Sequence, residues 1–219
     1  MNILIGIAGK PRSGKDTISN RLKEEHGFYS YAFADYLKWV ASSYFGFSKE
    51  ELWGKKTSKS RKFLQELGRF CTDLDPDIFV NKVVEKIKKD YIKCEAEGKP
   101  YCAVISDVRR EDELKLFDRN SSVFLVYDEI MNSGISMKNA FDKLLLVKVE
   151  RPLEDILREE PGLAENMKHP VEQLTNTYEK WDYFISNDKD MEFLVSSIDR
   201  LVSELKEDSH NDSDKRENV

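Results

Sequence analysis

The stretch GKPRSGKD, residues 9–16, sets two glycines and a lysine at the spacing G-x-x-x-x-G-K directly after the apolar run ILIGIA. Glycine at Gly9 and Gly14 lets the backbone approach an anion closely. Successive backbone N–H groups and the start of a following helix can then point at its oxygens. Lys15 would act as a compact cation that follows negative charge on the terminal phosphates. The flanks agree with a phosphate-binding loop, because an apolar strand precedes it and Ile18 and Leu22 follow at helical spacing. Arg12 adds a second cation within the loop, beside Ser13. One position departs from the pattern: where Ser or Thr normally offers a hydroxyl to magnesium, the chain has Asp16. A carboxylate is also a hard oxygen ligand, so Asp16 could bind Mg2+ directly or through water, or Thr17 could supply the hydroxyl one residue later. An aspartate in the first turn is equally what the helix dipole favours.

Moving a phosphoryl group between two anions needs cations on both sides, since positioning and charge stabilisation supply most of the catalysis. In CAVISDVRRED, residues 102–112, Asp107, Arg109 and Arg110 fall just beyond the carboxyl end of an apolar strand. There α/β sheets gather their ligands. Arg109 could pair with an acceptor phosphate. Asp107 could assist the metal, hydrogen-bond the acceptor, or cap a helix starting near Arg110. A rival acidic motif ends VFLVYDE, where Asp128-Glu129 resembles the metal-binding pair of a mechanical ATPase. An ordinary strand end before the turn MNSG explains it as well.

Elements that could position these groups are legible as apolar runs at Ile3 to Ile7, Cys102 to Ile105, Val123 to Val126, Leu144 to Val149 and Tyr183 to Ile185. Helical patterns separate most of them, which predicts an α/β fold with a mainly parallel sheet. Over Ser60 to Phe70 the spacing puts Phe63, Leu64, Leu67 and Phe70 on one side and Arg61, Gln65 and Arg69 on the other. A further helix is expected from Asp75-Pro76, carrying Val80, Val83, Val84, Ile87 and Tyr91 on one stripe and ending before Gly98-Lys99-Pro100. The last helix is expected over about Met191 to Leu205, and residues 206–219, poor in apolar groups, are expected to be a disordered tail.

At 219 residues the chain is long enough for one domain with a substantial core, here taken as 1–205. Its net charge of −6 argues against a duplex nucleic-acid partner. No apolar run approaches the length that spans a bilayer, and no secretory leader pattern opens the sequence, so a cytoplasmic protein with no membrane partner is expected. Cys71, Cys94 and Cys102 lack paired spacing and read as free thiols.

In order along the chain, GKPRSGKDT, FADYLK, LGRF, DPDIFVNKV, ISDVRREDE, VKVERP, HPVE and FISND resemble the motifs of bacteriophage-type deoxynucleoside monophosphate kinases. The resemblance runs to about residue 205, and GKxRSGKDT and SDxRxxxE are its most specific pieces. It implies a three-layer P-loop NTPase fold with a helical acceptor-binding region, about 35–70, and a lid, about 151–175. It also implies ATP as phosphoryl donor, Mg2+, small-molecule nucleotides as the only partners, and a homodimer, in the host cytoplasm if phage-encoded. Carried over by position, it assigns Lys15 and Asp16 to phosphates and metal, and Asp35, Lys38, Arg69 and Arg109 to the acceptor. Arg151 and Arg158 go to the lid, and Asn187 to the surroundings of the adenine. Phosphomevalonate kinases of the animal type share the GKxxSGKD loop and SDxRR and are the nearest alternative; FADYLK followed by GFSKEELWGKK is closer to the phage enzymes. Between SDVRRED and VKVERP the chain is longer than that family's pattern, around residues 127–142.

Overall fold

In the computed structural model the described residues are 1–54, 56–118, 140–169 and 172–216. Five strands form one sheet: β1 (Ile3–Gly9), β2 (Tyr29–Tyr31), β3 (Cys102–Val108), β4 (Lys143–Glu150) and β5 (Tyr183–Ser186). They lie in the order β2-β3-β1-β4-β5, every pair parallel. β1 is central. The chain winds from it to one side through β2 and β3, then crosses to the other for β4 and β5. Its carboxyl end is therefore the point where the winding reverses, and the crevice there is where such sheets bind ligands.

The uninterrupted apolar run of β1 follows from burial on both faces. Ile3, Ile5 and Ile7 join Val104, Val147 and Val149 under α1 (Lys15–His26) and α10 (Met191–Arg216), which contribute Ile18, Leu22, Leu194, Ile198, Leu201, Val202 and Leu205. Leu4 and Ala8 face the opposite side with Ala103, Ile105 and Leu146, under the helices between β2 and β3. These are α2 (Ala34–Phe45), α3 (Lys49–Trp53), α4 (Ser58–Leu74) and α5 (Ile78–Ala96). The result is the expected three-layer arrangement. Beyond β3 come a single turn, α6 (Glu111–Leu114), and a 3-10 turn, Lys115–Phe117; after β4 come α7 (Leu153–Glu159), α8 (Leu163–Asn166) and α9 (Leu174–Thr177).

Several boundaries differ from the sequence expectation. Ser48 caps α3 through a reciprocal pairing with Glu51, and Thr57 caps α4 by accepting from the Ser60 amide. Phe70 is 61 % exposed, because the buried stripe of α4 turns away from it. α5 starts at Ile78, two residues after Pro76, since Asp75 is spent ending α4 and accepting from the Asp77 amide. α10 runs on to Arg216 instead of stopping at Leu205. Its continuation contains no Gly or Pro to break a helix. The short edge strand β2 is an addition. The expected strand Val123 to Val126 and the Asp128-Glu129 pair lie outside the described residues, as does most of the long segment around 127–142. Cys71, Cys94 and Cys102 are free thiols. Among the described residues no helix is long and apolar enough to cross a membrane.

Candidate active site

The loop after β1 is shaped by its glycines. Gly14, the N-cap of α1, has φ 104°, and a Cβ there would lie 2.8 Å from Asn187 Nδ2. A Cβ on Gly9 would lie 2.5 Å from Ser13 Oγ and 2.6 Å from the Val149 carbonyl oxygen. Arg12 takes a left-handed conformation, φ 64°, which a non-glycine residue holds only where its surroundings impose it. Inside the loop the Ser13 amide donates to the Lys10 carbonyl at 3.1 Å. Asn187 Nδ2 donates to the Ser13 carbonyl at 2.9 Å, and the Asn187 amide donates to the Glu150 carbonyl. Asn187 thus braces the loop.

Lys15 is 6 % exposed and donates from Nζ to the Lys10 carbonyl at 2.7 Å. Burial, and next the Arg109 charge, bring its pKa down to about 8, against the opposing pull of Glu172, Asp16 and Asp107. Asp16 sits exposed in the first turn of α1 and makes no hydrogen bond or ion pair among the described residues. Its carboxylate is therefore available to a hard cation. No group of three or more His, Cys, Asp or Glu that could hold a metal exists among the described residues. Mg2+ here would take one protein carboxylate, with nucleotide phosphate oxygens and water as its other ligands, its ordinary habit at phosphate sites.

Asp107 serves a different purpose from those anticipated. It is buried at 8 %, and its two oxygens accept from the Phe33 and Ala34 amides at 2.7 and 3.0 Å, the first turn of α2. It caps α2, not the helix after Arg110. The Arg110 helix has its own device: Glu113 Oε2 accepts from the Arg109 and Arg110 amides at 2.6 and 3.0 Å. Burial, and then the Asp107 charge, push the Glu113 pKa up to about 8. These contacts fix the backbone of Arg109, whose guanidinium pairs with Glu172 through Nη1 while its buried Nε has no partner among the described residues. Burial disfavours the Arg109 charge, and Glu172, Asp107, Glu113 and Asp16 outweigh that and hold its pKa above the ordinary value.

Around Arg109 other cations gather. Lys38 of α2 donates to Asp35 Oδ1 at 3.2 Å and lies 5.5 Å from the centroid of the Trp53 ring. Trp53 Nε1 donates to the same Asp35 oxygen. Lys56, between α3 and α4, is partly buried, and its ammonium is brought down to about 8 by burial and then by the charges of Lys38, Arg109 and Arg61. From the C-cap of α7, the Glu160 carboxylate takes Arg12 Nε at 2.9 Å and Arg61 Nη2 at 3.0 Å. Arg151 pairs with Glu159 and reaches the Arg12 carbonyl. A cleft of about 330 Å³ opens beside the loop between Lys10, Arg151, Thr175, Ser186 and Asp188. The Thr175 hydroxyl there is buried with no partner among the described residues.

Of the residues singled out from sequence, the loop, Asp107, Arg109, Asp35, Lys38 and Arg151 converge on the carboxyl end of the sheet. Arg69 stays exposed on α4, and Arg158, 75 % exposed, pairs one turn back with Asp155. Lys56, Arg61 as a site residue, Glu113, Glu160 and Glu172 were not anticipated. Glu113 had a readable signal, a glutamate three residues after the helix boundary at Arg110; the others are single charged residues whose neighbours come from distant segments.

Fold and loop together define a P-loop α/β protein. No family model matches the chain. It is 26% identical over 212 residues, 90% of this chain and 94% of the relative, to an Acanthamoeba polyphaga mimivirus protein named "Putative deoxynucleotide monophosphate kinase". The chain thus resembles deoxynucleoside monophosphate kinases along most of its length. Among solved structures it is similar to dephospho-CoA kinase from Campylobacter jejuni, 13% identical, with a TM-score of 0.49, over 95% of this chain and 100% of the other. It is also similar to deoxyadenosine kinase from M. mycoides, 15% identical, with a TM-score of 0.42, over 91% and 99%. Structural likeness at these scores carries no functional weight.

Proposed function

We propose that the chain transfers the γ-phosphate of ATP to the phosphate of a deoxynucleoside monophosphate, with Mg2+. The observation that carries this reading is the meeting of two cationic groups at one sheet end: Lys15 in the loop, and Arg109, Lys38 and Lys56 on the acceptor side, close enough that Arg109 depresses the pKa of both Lys15 and Lys56. A simple hydrolase needs the first group but has no use for the second. The mimivirus relative's name agrees with it.

In this reading the loop amides and the α1 N-terminus hold the donor phosphates, and Lys15 leaves the Lys10 carbonyl to follow the group in transit. Mg2+, when bound, neutralises charge on the donor phosphates, and Asp16 is the carboxylate that would hold it. Arg109, fixed by Glu113 and Glu172, screens the acceptor phosphate so that two anions can approach in line. Asp107 aims α2, and with it Asp35 and Lys38, at the acceptor. The cleft beside Thr175 offers room for the donor's base. Arg151, moored to Glu159, carries the lid edge over the loop and keeps water from the transferred group.

The test is ADP release from ATP and magnesium with dTMP, dGMP, dAMP, 5-hydroxymethyl-dCMP or phosphomevalonate. Release that requires a deoxynucleoside monophosphate is the expected result. Turnover of phosphomevalonate alone, or hydrolysis with no acceptor, overturns it.

A further inference from the structure

Arg12 belongs to the donor loop and Arg61 to α4 in the acceptor region, yet both bind the two oxygens of one carboxylate, Glu160, at the C-cap of α7. A carboxylate held by two guanidinium groups has the charge and the oxygen spacing of one edge of a phosphate. Lys56 lies within reach of the Arg61 charge, and among the described residues no hydrogen-bond or ion-pair partner meets its ammonium. Cations from four segments thus act on one another here, Lys38 of α2, Lys56 of the α3–α4 connection, Arg61 of α4 and Arg109 after β3, with the Asp107 charge opposing the other three at Lys56. Both Asp107 oxygens are already engaged by backbone amides. Lys38, Arg61 and Arg109 each have a carboxylate, Asp35, Glu160 and Glu172, whereas Lys56 has none among the described residues, and a partly buried ammonium is costly unless an anion completes it.

We propose that Lys56 and Arg61, with Arg12 opposite, form the site that takes the phosphate of a phosphomonoester acceptor, and that Glu160 fills this site as an internal competitor until the acceptor displaces it. The proposal rests on the kinase reading above and deepens it by assigning the acceptor's phosphate to particular residues. It gives Glu160 a definite consequence: the lid end is tied to the donor loop and α4 by the same cations that the acceptor needs, so acceptor binding frees the lid from its resting attachment. Arriving phosphate also favours the charged form of Lys56, which burial and the neighbouring Lys38, Arg109 and Arg61 otherwise disfavour.

The experiment titrates inorganic phosphate into the full chain with ADP held at saturation to occupy the loop, and reads the phosphate affinity by calorimetry. Lys56→Met and Arg61→Met are expected to weaken phosphate binding roughly 10-fold or more, the loss of a charge-assisted contact, with ADP affinity kept. Glu160→Gln is expected to strengthen it, because the competing charge is gone. Glu160 is at the surface, so this arm stays informative even where Lys56→Met folds poorly, and Lys56→Arg should restore binding. Equal phosphate affinity in the wild type and all the variants overturns the proposal. Phosphate binding that shifts as expected while no monophosphate releases ADP would retain the anion site and remove the kinase reading. Turnover of a monophosphate with its KM unchanged in Lys56→Met would do the opposite.

Discussion

Replacing Asp107 tests the distinction between a group that positions the site and one that takes part in it. Asp107→Ala removes two charge-assisted bonds to the Phe33 and Ala34 amides at 2.7 and 3.0 Å and leaves the first turn of α2 uncapped in a buried place. Loss of a cap costs about 0.5–2 kcal/mol, and bonds to a charged acceptor are worth about 1.5–3 kcal/mol each. Relief of the repulsion between Asp107 and Glu113 offsets part of this. A net loss of about 2–4 kcal/mol follows, which for a chain of this size lowers Tm by roughly 4–16 °C. Asp107→Asn keeps one acceptor oxygen but turns an NH2 towards the second amide, so it should fall between the two. Thermal unfolding measures the stability, and the magnesium dependence of ADP release separates the roles. As a positioning residue, Asp107 should raise the acceptor KM when removed and leave the magnesium requirement unchanged. A variant as stable as the wild type, or one restored by added magnesium, would refute the reasoning.

Other outcomes follow from the same geometry. Glu113 has its folded-state pKa raised from 4.5 to about 8, so its stabilising share is complete below about pH 4.5 and is lost as pH rises to about 8. Glu113→Gln, which fixes the neutral form, should flatten that decline in urea denaturation measured from pH 5 to pH 8; an unchanged slope would count against it. Gly9→Ala places a Cβ 2.5 Å from Ser13 Oγ and 2.6 Å from a β4 carbonyl. It should therefore weaken ADP binding by about 5- to 150-fold, the scale of overpacking costs of about 1–3 kcal/mol; ADP affinity equal to the wild type's would contradict this. Asp16→Asn should impair turnover chiefly by raising the magnesium concentration needed for half-maximal rate. An identical magnesium curve would dismiss Asp16 as the metal's carboxylate.

The parts legible in the sequence are those whose chemistry is local. In the phosphate loop every necessary group lies within residues 9–17, and strands buried on both faces write themselves as unbroken apolar runs. β2 escaped because Tyr29-Ser30-Tyr31 is three residues at a sheet edge, where neither run nor alternation has room to register. Phe70 misled because periodicity assigns faces to an ideal helix but cannot say how wide a stripe the neighbours cover. On the proposed acceptor side Lys38 and Arg109 were anticipated, Arg109 from its place beyond a strand end and Lys38 from the family resemblance, while Lys56 and Arg61 escaped: each alone reads as an ordinary surface cation, and only the packing of α2, α3 and α4 against the end of β3 makes them neighbours of the others. Asp107 stands at the strand end as expected, but its bonds to the Phe33 and Ala34 amides were not legible, since they depend on α2, which begins more than seventy residues earlier in the chain.

α10 and Asn187, which shortly precedes it, have a consequence for the order in which the chain becomes competent. The loop leaves the ribosome more than 170 residues ahead of Asn187, which holds its Ser13 carbonyl, and of Asp199, which grips Arg21 and His26 on the helix behind it. Until these late residues emerge and dock, the early ones lack both their brace and half of the apolar cover of α1. A nascent chain should therefore bind no nucleotide until Asn187 and α10 have emerged, and acquire that ability in one step when they dock.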